Sequence, residues 1–226
     1  MSFADITVPS MSVTAIKSPP SSTIASMGRW EPDARGRLEK AAMELYVERG
    51  FDETTVAEIA KRAGLTERTF FRHYADKREV LFAGAALLQH LFVTTVTDAP
   101  PDLPPVEAAM TGVVAGGVLI QERRAFARQR YDIIAANTEL QERELIKLAS
   151  LSAALAATLR RRGVAEHPAD LAAEVAIAVF KVGFERWVAD PVHLDLPQLL
   201  RESLDELRVV TSDKNARRPT TGVASS

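Results

Sequence analysis

Within TERTFFRHYADK, residues 66–77, Phe70 and Tyr74 share one apolar face of a helix, which leaves Arg68, Thr69, Arg72 and His73 spread over the remaining surface. Those four side chains carry positive charge or hydrogen-bond donors, so their chemistry is recognition of anions and base edges. Arg68 and Arg72 are the long donors that reach guanine edges or phosphates. Thr69 suits a thymine methyl or a phosphate, and His73 donates to a phosphate. Glu67 is able to accept from cytosine, although an acidic first-turn residue also stabilises a helix by itself. Thr55, Thr66 and Lys77 lie at helix starts, where hydroxyls and N–H groups point outward to phosphates.

A short scaffold of local signals has to hold that face. In TTVAEIAKRAGL, residues 54–65, Thr55 stands three residues before Glu58, a capping-box spacing that satisfies the first N–H groups of a helix. Val56, Ile59, Ala60 and Ala63 give this helix one apolar side. Gly64 supplies a left-handed residue to end it, Leu65 plugs the joint, and Thr66 caps the next helix. An apolar inner face with an outer face of Arg, Thr and His is what a recognition helix requires. Upstream, Asp33 caps a helix whose packing stripe is Leu38, Ala41, Ala42, Leu45 and Tyr46, with Gly50 closing it and Phe51 folding back over the joint. Downstream, Asp76 and Glu79 make a second capping box that opens DKREVLF.

This run resembles the DNA-binding domain of the TetR family of transcription regulators. The resemblance extends from Asp33 to Phe82 and rests on the order Gly-Phe, Thr-Thr-Val, Ile-Ala, Ala-Gly-Leu-Thr, Thr-Phe-Phe, His-Tyr and Asp-Lys at the family's spacing. It implies a dimeric, sequence-specific binder of double-stranded DNA with a roughly palindromic operator, and a helical body that binds a small-molecule effector. Phe71 departs from the pattern: many members carry a tyrosine there whose hydroxyl meets a phosphate, and phenylalanine replaces that bond with apolar contact.

Composition is compatible with this reading and excludes others. The 226 residues suffice for a small head and a larger body. A net charge of −2 gives no global basic signature, but a groove reader needs only a local basic face. There is no cysteine, hence no disulfide framework and no thiolate metal site. His73, His90, His167 and His193 are scattered without a metal-ligand pair, and no Gly-rich phosphate loop or nucleophile elbow occurs. No enzyme activity, cofactor or metal is therefore expected. The most apolar run, Ala108 to Ile120, is too short to span a bilayer, and no signal peptide is evident, so a soluble, cytoplasmic protein without membrane contact is expected.

The chain reads as all-α in four parts. Residues 1–28 form a disordered extension, 29–82 the helix-turn-helix head, 83–210 a helical effector-binding and dimerisation domain, and 211–226 a disordered tail. Met27 is a candidate alternative start. Arg29, Trp30, Arg35 and Arg37 read either as an arm reaching DNA or as a solvated charge cluster. The helix from Asp76 is expected to run on through Leu87, Leu88 and Leu91 toward Thr97, until Pro100, Pro101, Pro104 and Pro105 break it. Helices over about 105–119 and 121–135 follow. Thr138 with Gln141 opens a long helix with Leu145, Leu148, Leu151, Leu155 and Leu159 on its apolar side. A helix carrying Pro168 in its first turn and running to about Ala189, then one started by Asp195, complete the body.

Effector candidates are Leu87, Leu91, Met110, Val114, Phe126, Tyr131, Phe180 and Phe184, together with Trp187; each is also an ordinary core residue type. Gly112, Gly116 and Gly117 leave room beside their helix, a hint of a cavity. Arg123, Arg124, Arg128 and Arg130 read as a solvated face in preference to an anion site. The segment NTELQERELIKLASLSAALAATLRRRG is similar to a branch of the family that includes mycofactocin-system regulators, some of which answer to fatty acyl-coenzyme A. A long apolar effector is the expectation that follows. Ala172, Ala173, Ala176 and Ala178 with Val175, Val179 and Val182 serve either the core or a twofold interface. The alternative function is an effector-binding adaptor whose head contacts a protein.

Overall fold

The computed structural model describes residues 33–190 and 194–212. Among these residues the chain is all-α, in ten helices with no strand: α1 (Ala34–Arg49), α2 (Val56–Arg62), α3 (Glu67–His73), α4 (Lys77–Leu81), α5 (Ala85–Asp98), α6 (Pro105–Gln121), α7 (Arg124–Ala135), α8 (Thr138–Arg161), α9 (Glu166–Ala189) and α10 (Leu196–Thr211). No described helix is long and apolar enough to cross a membrane. The expectations for residues 1–28, Arg29, Trp30, His193 and the segment after Ser212 fall outside the described residues.

Local chemistry sets most of the helix ends. Asp33 accepts from the N–H of Gly36 at 2.9 Å. The Thr55–Glu58 box closes in both directions, at 2.9 Å from the Thr55 N–H and 3.3 Å from the Glu58 N–H. Thr66 accepts from Thr69 at 3.2 Å, and Asp195 from Gln198 at 2.8 Å. Gly64 takes φ +67°, which lets the N–H of Leu65 turn back to the Ala60 carbonyl at 2.8 Å. A β-carbon there would also meet the guanidinium of Arg37 at 2.7 Å.

Three expected features are corrected. The helix from Asp76 is not continuous: it stops at Leu81, turns through Phe82, Ala83 and Gly84, and restarts as α5. Asp76 does cap α4, accepting from Arg78 at 2.8 Å and Glu79 at 3.1 Å, but Glu79 does not reciprocate. Its carboxylate reaches α8 instead, where Arg143 donates from Nε at 2.8 Å and Lys147 at 3.2 Å. The Thr138–Gln141 box does not form either. Asn137 precedes α8, and its amide donates to Ile133 while Gln141 donates to Ala135, so both serve the last carbonyls of α7 across a tight joint.

Two cores result. One joins α1–α4 around Leu38, Leu45, Ile59, Phe70 and Val80, and takes in Ile133 and Ile134 of α7 and Leu140 of α8. The other joins α5, α6, α8, α9 and α10 around Phe92, Val113, Leu155, Trp187 and Leu200. Leu145 is off the α8 stripe at 58% exposure; Leu155 and Leu159 are buried. Gly112, Gly116 and Gly117 bring helices together and do not line a cavity. A β-carbon at Gly112 would stand 3.0 Å from the Phe92 carbonyl, one at Gly116 2.8 Å from Leu88, and one at Gly117 2.7 Å from Leu200.

Two predictions follow from this packing. Gly116→Ala has no space for its methyl against Leu88 and Phe92, so it is expected to lose about 1–3 kcal/mol in denaturant unfolding; an unchanged midpoint would disprove the close approach. Burial alone would raise the Glu79 carboxyl, but the hydrogen bonds from Arg143 and Lys147 outweigh it and hold the group below its ordinary value. A depressed carboxylate stabilises the fold above its unfolded value of 4.5 and loses that contribution as pH falls through the lower folded value. Glu79→Gln is therefore expected to flatten the acid limb of the stability-against-pH curve, and an identical limb would count against the clasp.

Candidate nucleic-acid interface and cavity

The surface of α3 is set by what lies beneath it. Phe70 is fully buried, Tyr74 nearly so, and the Tyr74 hydroxyl donates to Glu39 at 3.0 Å. Burial, then the nearby Glu39 carboxylate, push the Tyr74 phenol well above its usual range, so it stays a donor. With that face fixed, Glu67, Arg68, Phe71, Arg72 and His73 are exposed. Phe71 is 56% exposed and lies edge-on to Phe70, with ring centroids 5.5 Å apart.

Which cations remain available is decided by pairing. In the head, Arg35 binds the Ala83 carbonyl, Arg37 the Ala63 carbonyl, Arg49 Glu58, Arg62 Glu48, and Arg78 Asp76. Arg35 and Arg37 are thus ties within the head and not parts of a free arm. Among the described head residues, Arg68, Arg72 and His73 of α3 keep their donors unused, as does Lys61 of α2, which charge pattern alone gave no reason to single out. Thr55 and Thr66 are exposed, each hydroxyl engaged in its cap, and Thr69 is half-buried with its hydroxyl 3.0 Å from that of Thr66. Lys77 opens α4, as its place at a helix start predicts, but its side chain turns inward. Its ammonium donates to the carbonyls of Phe51, Asp52 and Thr54 at 2.8, 3.0 and 2.9 Å, using all three donors on the α1–α2 loop and leaving none for a phosphate.

A cavity of about 420 Å³ lies beneath the head, walled by the α4–α5 turn, α5, the end of α6, α7, α8 and α9. Of the eight effector candidates, Leu87, Phe126, Phe180 and Phe184 line it. Leu91, Met110, Val114 and Tyr131 do not, and neither does Trp187. Met110 and Trp187 are buried in the core, and Tyr131 backs the wall with its ring 6.1 Å from that of Phe184. Phe82, Leu148, Leu151 and Lys147 line the cavity without having been singled out for it, and so does Arg130, which the sequence placed on a solvated face. The leucines stood on the α8 stripe, but periodicity does not tell a cavity wall from packed core.

The charges on the wall cancel locally. Arg130 clasps Glu144 at 3.2 and 2.6 Å, Lys147 meets Glu79, and Arg123 lies 3.9 Å from Glu39 and 4.3 Å from the Phe126 ring centroid. Arg124 leaves the expected basic cluster, donating to the carbonyls of Trp187 and Asp190 at the end of α9.

Comparison with known proteins agrees with this division. Residues 38–83 match the family described as bacterial regulatory proteins, tetR family, and residues 103–211 match the MftR C-terminal domain. A stretch of 74 residues is 34% identical to the HTH-type transcriptional regulator TcmR of Streptomyces glaucescens, covering 33% of each chain. Over 167 residues the chain is 22% identical to a putative mycofactocin biosynthesis transcriptional regulator, MftR, of Mycobacterium tuberculosis, covering 73% of this chain and 84% of that one. The chain spans 33% to 46% of the length of the first curated relatives it matches. The fold is that of Thermus thermophilus FadR, a transcriptional repressor solved in complex with lauroyl-CoA, with TM-score 0.53, 24% identity, and coverage of 83% of this chain and 99% of that one. These relatives are regulators and not enzymes. Head and body each match consecutive parts of one kind of regulator, and the chain belongs to the tetR family of bacterial regulatory proteins.

Proposed function

We propose that this chain is a dimeric repressor that binds a palindromic operator in the cytoplasm and is released when a long apolar molecule enters the cavity. The observation that carries the DNA half is the pairing pattern of the described head residues: their other arginines are bound internally, whereas Arg68, Arg72 and His73 stand unpaired on the exposed side of α3. Unpaired cations on a rigid helix are suited to phosphates and to guanine edges in a major groove.

The dimer is supported by α9. Ala172, Ala173, Ala176 and Val179 are buried within the chain's own core, which supports reading that side of α9 as internal packing. Leu171, Val175, Ala178 and Val182 recur at helical spacing on another side of α9; Leu171 and Val182 are 68% and 49% exposed. An exposed apolar stripe of this kind favours a twofold mate. Such a dimer presents two copies of α3 to major grooves one turn apart, roughly 34–36 Å. The effector half is supported by the cavity, whose 420 Å³ lies within the range of roughly 300–1,000 Å³ that holds small ligands. Arg130 and Lys147 of its wall are each paired with a carboxylate, which favours an apolar occupant, and a protein of the same fold is solved with lauroyl-CoA.

Footprinting on DNA upstream of the protein's own gene, with excess competitor and with or without lauroyl-CoA, tests the whole reading. A twofold-symmetric protected site that fades with lauroyl-CoA is expected; protection indifferent to it and to other acyl chains would remove the effector half. Arg72→Ala is expected to weaken that site by about 1–3 kcal/mol while the dimer persists in sedimentation, and an unaltered affinity would refute the assignment of the reading face. Val182→Glu puts a charge in the α9 stripe and is expected to sediment as a monomer. A stable Val182→Glu dimer would move the interface elsewhere.

A further inference from the structure

Arg35 and Arg130 use their guanidinium groups in the same way. In an uninterrupted helix the carbonyl of Leu81 accepts from the N–H of Ala85, and that of Ala83 from Leu87. Here Ala85 donates to Phe82 at 2.9 Å. The Leu81 carbonyl accepts instead from Arg130 Nε at 2.6 Å, and the Ala83 carbonyl from Arg35 Nη2 at 2.6 Å. Arg35 belongs to α1 of the head. Arg130 belongs to α7, and its two remaining nitrogens clasp Glu144 of α8.

The turn's own sequence does not require the interruption. Phe82 has φ −107° and ψ 12°, and Gly84 has φ −80° and ψ −9°, so neither uses a conformation reserved for glycine. No proline intervenes, and Ala83, Ala85 and Ala86 are strong helix formers. A β-carbon on Gly84 would meet nothing within 4 Å. Nothing in the turn's sequence forbids a continuous helix, and two arginines from different elements cap the carbonyls that the break leaves open. Residues 81–84 and Arg130 are also part of the cavity wall.

We infer that Arg130 and Arg35 are positioning residues for the reading head. By capping the Leu81 and Ala83 carbonyls they hold an interrupted α4–α5 joint in balance with a continuous one, and an occupant of the cavity selects between the two. The selection step rests on the operator and effector reading above; the hinge does not. Closing the break redirects α4 relative to α5, and α3 moves with the head core into which Val80 and Leu81 are packed. An occupant that displaces the Arg130 guanidinium from the Leu81 carbonyl acts on this balance directly.

Hydrogen exchange of peptides spanning residues 79–90, together with operator affinity, tests the hinge in the full-length protein. Gly84→Ala is expected to slow exchange at the joint by up to about fivefold, the ratio set by the helix preference of alanine over glycine. Operator affinity is expected to shift with it. Arg130→Lys cannot cap Leu81 and clasp Glu144 at once, and is expected to move both readouts in the same sense. Ala86→Pro, in the first turn of α5, tolerates the broken helix but forbids the continuous one. Added to Arg130→Lys, it is expected to return both readouts to the wild-type pattern. If Arg130 is only a structural support, Arg130→Lys speeds exchange through both cores and Ala86→Pro adds to the damage; that result overturns the proposal, as does unchanged joint exchange in Gly84→Ala. If exchange responds as expected while no variant, nor the wild type, binds DNA, the hinge stands and the operator reading falls.

Discussion

Helix α4 packs into the head core on one side and is tied by charge to α8 on the other, and the position of the α3 surface depends on both attachments. Val80 and Leu81 turn their side chains into the head core. Glu79 turns away from it, to Arg143 and Lys147 on α8, and Arg78 bridges Asp76 and Glu139. The apolar side makes α4 part of the head, and the charged side ties it to the body. A lone exposed ion pair contributes little, about 0–1 kcal/mol, but these charges are partly shielded and share partners. Removing one leaves another without its counterion, so α4 has few orientations that satisfy all of them. The clasp on α4 thus links the angle of α3 to the body.

On the proposed reading, the same pairing confines DNA recognition to a small area of a chain with no net positive charge. Head cations outside α3 are mostly spent on internal carbonyls and carboxylates, and Lys77 is spent on the loop that joins α1 to α2. Tyr46 behaves likewise: its buried hydroxyl donates to the Lys77 carbonyl at 2.7 Å, and burial, reinforced by Asp76, keeps the phenol protonated. These donors are used up inside the head, where they tie its helices and loops to one another. A surface that remains both charged and unpaired under those conditions is held in place without being neutralised, which is what phosphate and base contacts demand.

How much of this could be read from the chain follows the range of the forces involved. The caps at Asp33, Thr55, Thr66 and Asp195 were legible because a helix start is decided within three residues. So was the inward face of α3, since Phe70 and Tyr74 stand one turn apart. The break after Leu81 was not legible, because residues 82–86 read as good helix and the arginines that cap the break come from positions 35 and 130. Glu79 was placed in a capping box by spacing, whereas its partners lie 64 and 68 residues away. Four of the cavity candidates were misplaced for a related reason: Met110 and Phe180 are the same kind of residue at similar burial, and only the arrangement of helices decides which one meets empty space.

Cavity and head share one wall, and this limits what an occupant has to do. It does not need to drive a long relay of packed side chains, since Phe82, Arg130 and Lys147 line the cavity and also touch α4 or its clasp. It does need unequal affinity for two arrangements of that wall, and each tenfold of release costs about 1.4 kcal/mol of that difference. A buried apolar chain supplies roughly 0.8 kcal/mol per methylene, so two methylenes lodged in one arrangement and excluded from the other suffice. On the proposed repressor reading, occupant length measured against the position of Phe82, and not affinity alone, decides which molecules release the DNA.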